Sequence, residues 1–190
     1  MRVLEAGGLT LEPQTAAHAD EMFVVLSDPA IYAYENEPPR SRDWLRERFG
    51  RLESRRSADG REQWLNWVIR LSSAELIGYV QATVRANGDA AIAYELSSAH
   101  WGRGYARQAV QAMMNELVAR YGVGNVTAVL KALNERSLRF LQRLGFSPAS
   151  DEMRAQYDVP SDELLMYFSP RDRLEGPAAA DVPPPLEHKH

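Results

Sequence analysis

The run His100-Trp101-Gly102-Arg103-Gly104-Tyr105-Ala106 decides the fold class of this chain. An apolar segment typical of a β-strand, residues 90–96, precedes it, and a segment with the apolar spacing of a helix, residues 105–120, follows it. Glycines in such a loop let the backbone approach a ligand closely, and the unpaired N–H groups of the first helical turn attract an anion. The run therefore predicts a phosphate-binding loop at the start of a helix.

Neither of the common nucleotide-binding loops is complete here. The dinucleotide fingerprint requires a third glycine at the position of Arg107, and the Gly-Lys-Ser/Thr ending of the P-loop is absent. A short glycine pair is most often only a turn. The loop by itself indicates an anion site without identifying the compound.

A second run, downstream of the loop, narrows the interpretation. Residues 101–106 are followed by a helix, a strand and the run Asn134-Glu135-Arg136-Ser137-Leu138-Arg139-Phe140-Leu141-Gln142-Arg143-Leu144-Gly145-Phe146. Together these stretches resemble the core of the GNAT superfamily of acetyl-CoA-dependent N-acetyltransferases, and they are most similar to its RimJ/RimL-like branch. The resemblance covers roughly residues 9–168 and is strongest over residues 90–146.

One mixed α/β domain is predicted over residues 1–169. The resemblance implies a central mixed sheet of about six or seven strands, with an antiparallel N-terminal meander, a splayed parallel pair at its centre and about four helices. Alternating or continuous apolar residues predict strands at 9–13, 63–71, 75–85, 90–96, 126–130 and two within 147–168. Besides the helix after the loop, N-cap residues predict helices that begin after Thr15, Ser41 and Asn134.

Composition excludes several classes of protein. The net charge of −4 lacks the basic excess of proteins that bind nucleic-acid phosphates directly. Because the chain has no cysteine, it can form neither a disulfide nor an acyl-cysteine intermediate, and we expect no metal site. No apolar run is long enough to span a membrane, and the first residues do not resemble a signal peptide, which predicts a cytoplasmic protein.

The C-terminal segment differs in composition from the rest of the chain. Residues 170–190 are rich in proline, alanine and charged residues, which predicts a disordered tail. Residues 186–190 resemble an expression-vector remnant, so their histidines are left out of any metal argument. The oligomeric state is open, with a homodimer as one alternative.

The resemblance implies which residues bind the coenzyme. Backbone N–H groups around Arg103, Gly104, Tyr105 and Ala106 would hold its pyrophosphate, with the side chains of Arg103 and Arg107 as additional positive charge.

The pantetheine arm of the coenzyme would pair with the strand before the loop, at Leu96 and Ser97, as an added strand does. The N–H near Leu96 would then polarise the thioester carbonyl. Asn134 is expected both to cap its helix and to contact the coenzyme.

Two candidate catalytic residues follow. Glu95 is a carboxylate in an otherwise apolar strand; it either lies on an exposed face or beside an arginine, or it acts as general base or as anchor for the acceptor's ammonium group. The family tyrosine that protonates the leaving thiolate falls on Leu141 by spacing, so the general acid is open. Ser137 is the nearest candidate, although a serine there is also an ordinary capping partner.

The segment 31–39 is predicted to be a loop because two prolines interrupt it. It is either a plain surface loop or, as the resemblance implies, the wall of the acceptor pocket. In the second case Tyr32, Tyr34, Glu35 and Glu37 would bind the substrate, and the two glutamates would attract a cationic amine.

The leading hypothesis is an enzyme that moves an acetyl group from acetyl-CoA to a primary amine by direct attack in a ternary complex. The absence of cysteine disfavours a double-displacement route. The acceptor is a protein N-terminus, such as that of a ribosomal protein, or a small amine such as an antibiotic, a polyamine or an amino acid. The alternative is a non-catalytic acyl-CoA-binding or regulatory module, and the preferred acyl length is open.

Overall fold

The computed structural model describes residues 1–34 and 36–170. The strands are β1 (Leu4–Ala6), β2 (Leu9–Pro13), β3 (Glu62–Leu71), β4 (Leu76–Arg85), β5 (Asp89–Leu96), β6 (Asn125–Lys131), β7 (Ser147–Pro148) and β8 (Glu163–Phe168). The helices are α1 (Ala19–Val25), α2 (Arg42–Leu52), α3 (Tyr105–Tyr121), α4 (Glu135–Leu144) and α5 (Asp151–Gln156). The predicted mixed α/β class is confirmed. Apart from Pro170, the predicted disordered tail lies outside the described residues.

All eight strands belong to one sheet, in the order β1-β2-β3-β4-β5-β6-β8-β7. Strands β1 to β5 form an antiparallel meander, which confirms the prediction for the N-terminal part. β5 and β6 are parallel, and they pair only from Asp89–Asn125 to Ala91–Thr127. Beyond that point β5 stays paired with β4 up to Leu96, and β6 stays paired with β8 up to Lys131. The central parallel pair is therefore splayed, as predicted, and a gap opens at its C-terminal end.

Helices cover both faces of the sheet. Alternation along β3 sends Trp67 to one face and Val68 to the other, and both are fully buried. Trp67 belongs to a core shared with α3 and α4, whereas Val68 belongs to a second core shared with α1 and α2. The gap between β5 and β6 thus has α3 and α4 on one side and α1 and α2 on the other.

Capping residues fix the starts of the two helices that border the gap. The side chain of Ser41 accepts a hydrogen bond from Trp44 N (3.1 Å) at the start of α2. Asn134 Oδ1 accepts one from Ser137 N (3.0 Å) at the start of α4. Both predicted N-caps are confirmed. The helix predicted after Thr15 begins instead as a 3₁₀ turn, Ala16–His18, which leads into α1.

Two short elements depart from the sequence prediction. β1 was not predicted, because three residues before the Gly7-Gly8 turn are too few to show an alternating pattern. Two strands were predicted within residues 147–168, but β7 has only two residues and helix α5 follows it. The side chain of Ser150 caps α5 by accepting from Met153 N (3.3 Å), and β8 then completes the sheet. Within residues 1–34 and 36–170, no helix is both long and apolar enough to cross a membrane.

Candidate active site

A cleft of about 790 Å³ lies where β5 and β6 stop pairing. Its walls come from the ends of both strands, the loop before α3, the first turns of α3 and α4, helix α2 and the segment before α2. Helices from both faces, α2 on one and α3 and α4 on the other, thus border a gap that the sheet itself creates. Most of the residues predicted to form the site line this one cleft, and they do so from segments far apart in the chain.

One wall of the cleft is the open edge of β5. From Ile92 to Leu96 this strand has β4 on one side and no strand on the other within the part of the chain that the structure describes. Ser97 N donates to Ile77 O on β4 (2.9 Å), so the alternation of a strand turns the N–H of Leu96 towards the gap. Leu96 therefore lines the cleft with its N–H turned into the gap, whereas the N–H of Ser97 points away and Ser97 does not line the cleft.

The glycine loop forms the second wall. Gly102 (φ 74°) and Gly104 (φ 81°) both have left-handed backbone conformations, which residues with a side chain rarely adopt. A Cβ at either position would meet no atom within 4 Å, so both glycines face open space. Gly104 is the N-cap of the 17-residue helix α3 and no side chain caps that helix.

The first turn of α3 therefore presents backbone N–H groups to the cleft, together with the positive end of a long helix dipole. Gly104, Tyr105, Ala106 and Arg107, which the sequence predicts to bind the coenzyme, all line the cleft. Arg103 is exposed and lies outside the lining. This wall suits an anion such as a pyrophosphate.

Sequence reasoning missed a contact that joins the loop to α4. The guanidinium of Arg136 lies 3.4 Å from the ring centroid of Trp101, and Trp101 Nε1 donates to Leu96 O (2.9 Å). Arg143, one heptad further along α4, also lines the cleft. The spacing of arginines at 136 and 143, which puts them on one helix face, is a sequence signal that could have indicated this positive wall.

The start of α4 brings two hydroxyl groups together. Ser137 Oγ lies 2.6 Å from the hydroxyl oxygen of Tyr94, which comes from the open segment of β5. The ring of Tyr94 packs against Phe140, with 4.8 Å between centroids. Asn134 and Ser137 both line the cleft, and so does Leu141, although only 1% of its surface is exposed.

Glu95 points to the opposite face of β5, towards α1 and α2. Its register partner on β4 is Tyr79, which packs against the core under those helices. Burial, together with the nearby charges of Glu95 and Asp28, raises the pKa of Tyr32 to about 12. The hydroxyl of Tyr32 donates to Leu26 O (2.7 Å). Tyr32 therefore stays protonated and uncharged at neutral pH, and it lies close enough to Glu95 for the charge of that carboxylate to raise its pKa.

The predicted substrate residues surround this side of the cleft. Tyr32, Tyr34, Glu37 and Glu95 all line it, and Glu35 lies outside the described residues. Other lining side chains that were not predicted as substrate contacts are Gln14, Trp44, Arg48, Tyr79 and Gln81. No signal in the sequence places these together, because they meet only through strand register and helix packing.

The side chain of Asp28 links the turn that contains Tyr32 to the loop after β5. Its carboxylate accepts hydrogen bonds from Ser98 N (2.7 Å) and Ala30 N (3.0 Å). These bonds, first of all those from Ser98, lower the pKa of the Asp28 carboxyl below its usual value. Asp28 thereby holds the turn that carries Tyr32 against the strand that carries Glu95.

His100, at the start of the glycine run, is buried and also lines the cleft, with its Nε2 3.6 Å from Glu75 Oε1. His18 lies away from the cleft, where its Nε2 is 3.1 Å from Glu12 Oε2. Among the described residues, no cluster of three or more histidine, aspartate or glutamate side chains could hold a metal ion.

The cleft can be compared with known proteins. Residues 8–147 match the acetyltransferase (GNAT) domain family. The chain is 26% identical over 175 residues to the uncharacterized N-acetyltransferase p20 of Bacillus licheniformis, which covers 88% of this chain and 94% of that protein.

Solved structures show the same fold at low identity. A RimL ribosomal L7/L12 α-N-protein acetyltransferase in complex with coenzyme A superposes with a TM-score of 0.72 at 17% identity, over 88% of this chain and 97% of that one. A spermidine N-acetyltransferase SpeG chimera from Vibrio cholerae and hSSAT also gives 0.72, at 16% identity, over 90% of this chain and 100% of that one.

Proposed function

The chain belongs to the acetyltransferase (GNAT) domain family, and from this premise we propose that it transfers an acetyl group from acetyl-CoA to a primary amine by direct attack in a ternary complex. The proposal also assigns the chain to the RimJ/RimL-like branch and to the cytoplasm. One observation carries it: the open edge of β5 and the uncapped start of α3 lie in the same cleft.

The glycine loop and the first turn of α3, here called the cradle, fit the phosphates of the coenzyme. Gly102 and Gly104 leave space where any other residue would place a Cβ, so a phosphate can reach the backbone N–H groups of Tyr105 and Ala106. Arg107, Arg136 and Arg143 line the same wall and supply positive charge for an anionic ligand. The cradle therefore binds through the backbone and is strengthened by side chains.

The open edge of β5 fits the arm of the coenzyme. The backbone groups that alternation turns towards the gap, those of Ile92 and Tyr94 and the N–H of Leu96, can pair with an extended, amide-containing chain as they would with a neighbouring strand. When bound, acetyl-CoA supplies an acetyl group activated as a thioester. The N–H of Leu96, turned towards the gap, then donates to the carbonyl oxygen and stabilises the charge that develops there. Asn134, beside this edge at the start of α4, adds an amide contact.

Glu95 is the base in this scheme. It lies on the same strand but on the face towards α1 and α2, where the acceptor amine enters. A carboxylate there can hold the amine as an ammonium and take its proton, directly or through a water molecule. On the other face, Ser137 is placed to hydrogen-bond the sulfur of the leaving group. Because the chain has no cysteine, no residue offers a thiol to carry the acetyl group between the two substrates.

The lining of the acceptor side favours a cationic amine. Glu37 and Glu95 contribute two negative charges against the one positive charge of Arg48, whose guanidinium lies over the Trp44 ring. The rings of Tyr32 and Tyr34 offer faces for a cation. The solved neighbours include enzymes for a ribosomal protein N-terminus and for spermidine, and both acceptor classes are compatible with this lining. A protein N-terminus and a small amine therefore both remain candidates.

A direct assay tests the proposal. The protein is incubated with acetyl-CoA and a panel containing N-terminal peptides, polyamines, amino acids and aminoglycosides, and the free thiol is followed over time. We expect acceptor-dependent thiol release with at least one class of amine. Tight coenzyme binding without thiol release from any amine would contradict the enzyme assignment and favour a non-catalytic acyl-CoA-binding module.

A further inference from the structure

Tyr94 and Ser137 form a hydroxyl pair on the coenzyme side of the cleft. Their oxygens are 2.6 Å apart, slightly closer than the usual hydroxyl–hydroxyl hydrogen bond. Tyr94 comes from the part of β5 beyond its pairing with β6, and Ser137 comes from the first turn of α4, so the bond spans the gap beside the β5 edge. Of these two residues, the sequence analysis identified only Ser137 as a candidate catalytic residue.

Both partners are held in place by other contacts. The ring of Tyr94 packs against Phe140, which limits its rotation. The backbone of Ser137 is fixed because its N–H donates to Asn134 Oδ1 (3.0 Å). If the Tyr94 hydroxyl donates to Ser137 Oγ, the proton of Ser137 is left to point into the cleft, which Ser137 lines. The pair is thus arranged to pass a proton from β5 through α4 to the gap.

The position of the pair complements that of Glu95. Successive residues of a strand point to opposite faces, so Tyr94 faces α4 while Glu95 faces α1 and α2. Acetyl transfer removes a proton from the amine on one side of the reacting carbon and adds one to sulfur on the other. The two faces of a single strand therefore carry groups suited to the two proton transfers.

Resting on the proposed function, we propose that Tyr94 supplies, through Ser137, the proton that the leaving coenzyme sulfur takes up. A phenol is a much stronger acid than an aliphatic alcohol, so Ser137 alone is a poor net donor, whereas Ser137 relaying for Tyr94 is adequate. Because Tyr94 acts through Ser137, it is a positioning residue. Its hydroxyl is also the source of the proton.

The proton and electron balance is complete. As the bond from nitrogen to the acetyl carbon forms, the bond from that carbon to sulfur breaks and its electron pair stays on sulfur. The Ser137 proton moves to sulfur while the Tyr94 proton moves to Ser137 Oγ. The Tyr94 phenolate then regains one proton from solvent, which matches the proton that the amine nitrogen gives up through Glu95. No other reactant is needed.

The variant Tyr94→Phe tests the proposal because it keeps the ring against Phe140 and removes only the hydroxyl. In single-turnover experiments, which exclude product release, we expect the rate of acetyl transfer to fall about a hundredfold, within the usual range for proton-transfer catalysis. KM for the amine should not change. Ser137→Ala should have a similar effect, and the double variant should be no slower than either, since the two hydroxyls act as one unit.

Tyr167→Phe is the matched control. Tyr167 is also a half-buried strand tyrosine, and its hydroxyl donates to Asn125 Oδ1 (2.7 Å), but it does not line the cleft. Its single-turnover rate should equal that of the unaltered protein. A Tyr94→Phe rate equal to that of the control overturns the proposal, and so do effects of Tyr94→Phe and Ser137→Ala that multiply as independent losses.

A binding measurement gives a readout that does not depend on turnover. Above the pKa of a thiol, coenzyme A should bind more tightly than desulfo-coenzyme A because the pair donates to the thiolate. This affinity ratio should fall about tenfold in Ser137→Ala, as expected for a lost bond to a charged group, and should also fall in Tyr94→Phe. An unchanged ratio in both variants contradicts the proposal. If the unaltered protein transfers no acetyl group to any amine, the proposed function fails, and the ratio still decides whether the pair contacts sulfur.

Discussion

The two sides of the cleft are built in different ways. The side that we propose binds the coenzyme presents largely backbone groups: the N–H groups after Gly104 and the open edge of β5 from Ile92 to Leu96. The acceptor side consists of side chains, among them Tyr32, Glu37 and Glu95, which arrive from separate elements. Coenzyme binding through the backbone needs small residues at the glycine positions, whereas the acceptor side needs particular functional groups at particular positions. A chain can therefore change its acceptor without disturbing its coenzyme site.

The comparison predicts that the two sides can be damaged separately. A substitution among the acceptor-side groups should alter turnover or the KM of the amine while coenzyme affinity is kept. A substitution in the glycine loop should do the reverse. If one substitution on either side changed coenzyme affinity and turnover of the amine equally, the two sides would not be separable.

The largest effect is expected from Glu95→Gln. This change keeps the size of the side chain and removes the carboxylate that we propose takes the proton, so kcat should fall about a thousandfold, within the range for general base catalysis. The dissociation constant for coenzyme A, measured by titration calorimetry, should stay the same because Glu95 faces α1 and α2. Glu62→Gln is the control: Glu62 is a strand carboxylate outside the cleft that accepts from Trp64 Nε1 (3.1 Å), and an amide oxygen can replace it. A variant Glu95→Gln with full turnover would remove Glu95 from the mechanism.

A smaller effect, confined to the coenzyme side, is expected from Gly104→Val. A side chain there would occupy the open space of the cradle and would strain a left-handed backbone, so coenzyme affinity should fall about a hundredfold, or roughly 2.7 kcal/mol. Gly60→Val provides the matched control, because Gly60 (φ 71°) has the same backbone conformation and the same open surroundings in a turn away from the cleft. Equal losses of affinity in both variants would mean that strain, and not the cradle, is responsible.

The sequence could predict those parts of the site that fold locally, and these lie mostly on the backbone side of the cleft. Residues 100–106 and 134–146 each fold locally, so their glycines, helix starts and caps follow from neighbours in the chain. Gly104, Tyr105, Ala106, Arg107 and Asn134, singled out from the sequence, accordingly meet in one cleft. The contacts between these local units were missed, notably the stacking of Arg136 on Trp101 and the bond between Tyr94 and Ser137. Such contacts depend on how α4 packs across the gap, which no local pattern specifies.

The limit of prediction from the sequence is clearer on the acceptor side. Glu95 could be singled out because a carboxylate is unusual in an apolar strand. Tyr79 could not, since its place beside Glu95 depends on the register between β4 and β5. In the fold, the long alternating strands β3 to β5 were predicted, but β1 and α5 were not, because three and six residues are too few to show a period. Prediction therefore worked where one segment contains its own signal.

The smallest effect is expected from Asp28→Asn, which tests whether the acceptor side depends on one tie. The carboxylate of Asp28 accepts from both Ser98 N and Ala30 N, whereas an asparagine can accept with one atom and turns a donor towards the other N–H. We expect a loss of about 1–2 kcal/mol in the free energy of unfolding and a several-fold rise in the KM of the amine, with coenzyme affinity unchanged. The KM rises because Tyr32 follows Asp28 in the same turn.

The pH dependence of this loss carries a definite sign. The pKa of Asp28 is lowered in the folded protein, so its carboxylate contributes stability above the unfolded pKa of about 3.9 and loses that contribution as pH falls through the lower folded pKa. The difference in unfolding free energy between the unaltered protein and Asp28→Asn should thus be full at neutral pH and shrink in acid. Asp59→Asn is the control, because Asp59 also has a lowered pKa from bonds with Ser57 and Arg61 but lies away from the cleft. If Asp59→Asn raised the KM of the amine as much as Asp28→Asn does, the tie between the turn and β5 would not be what positions Tyr32 for the acceptor.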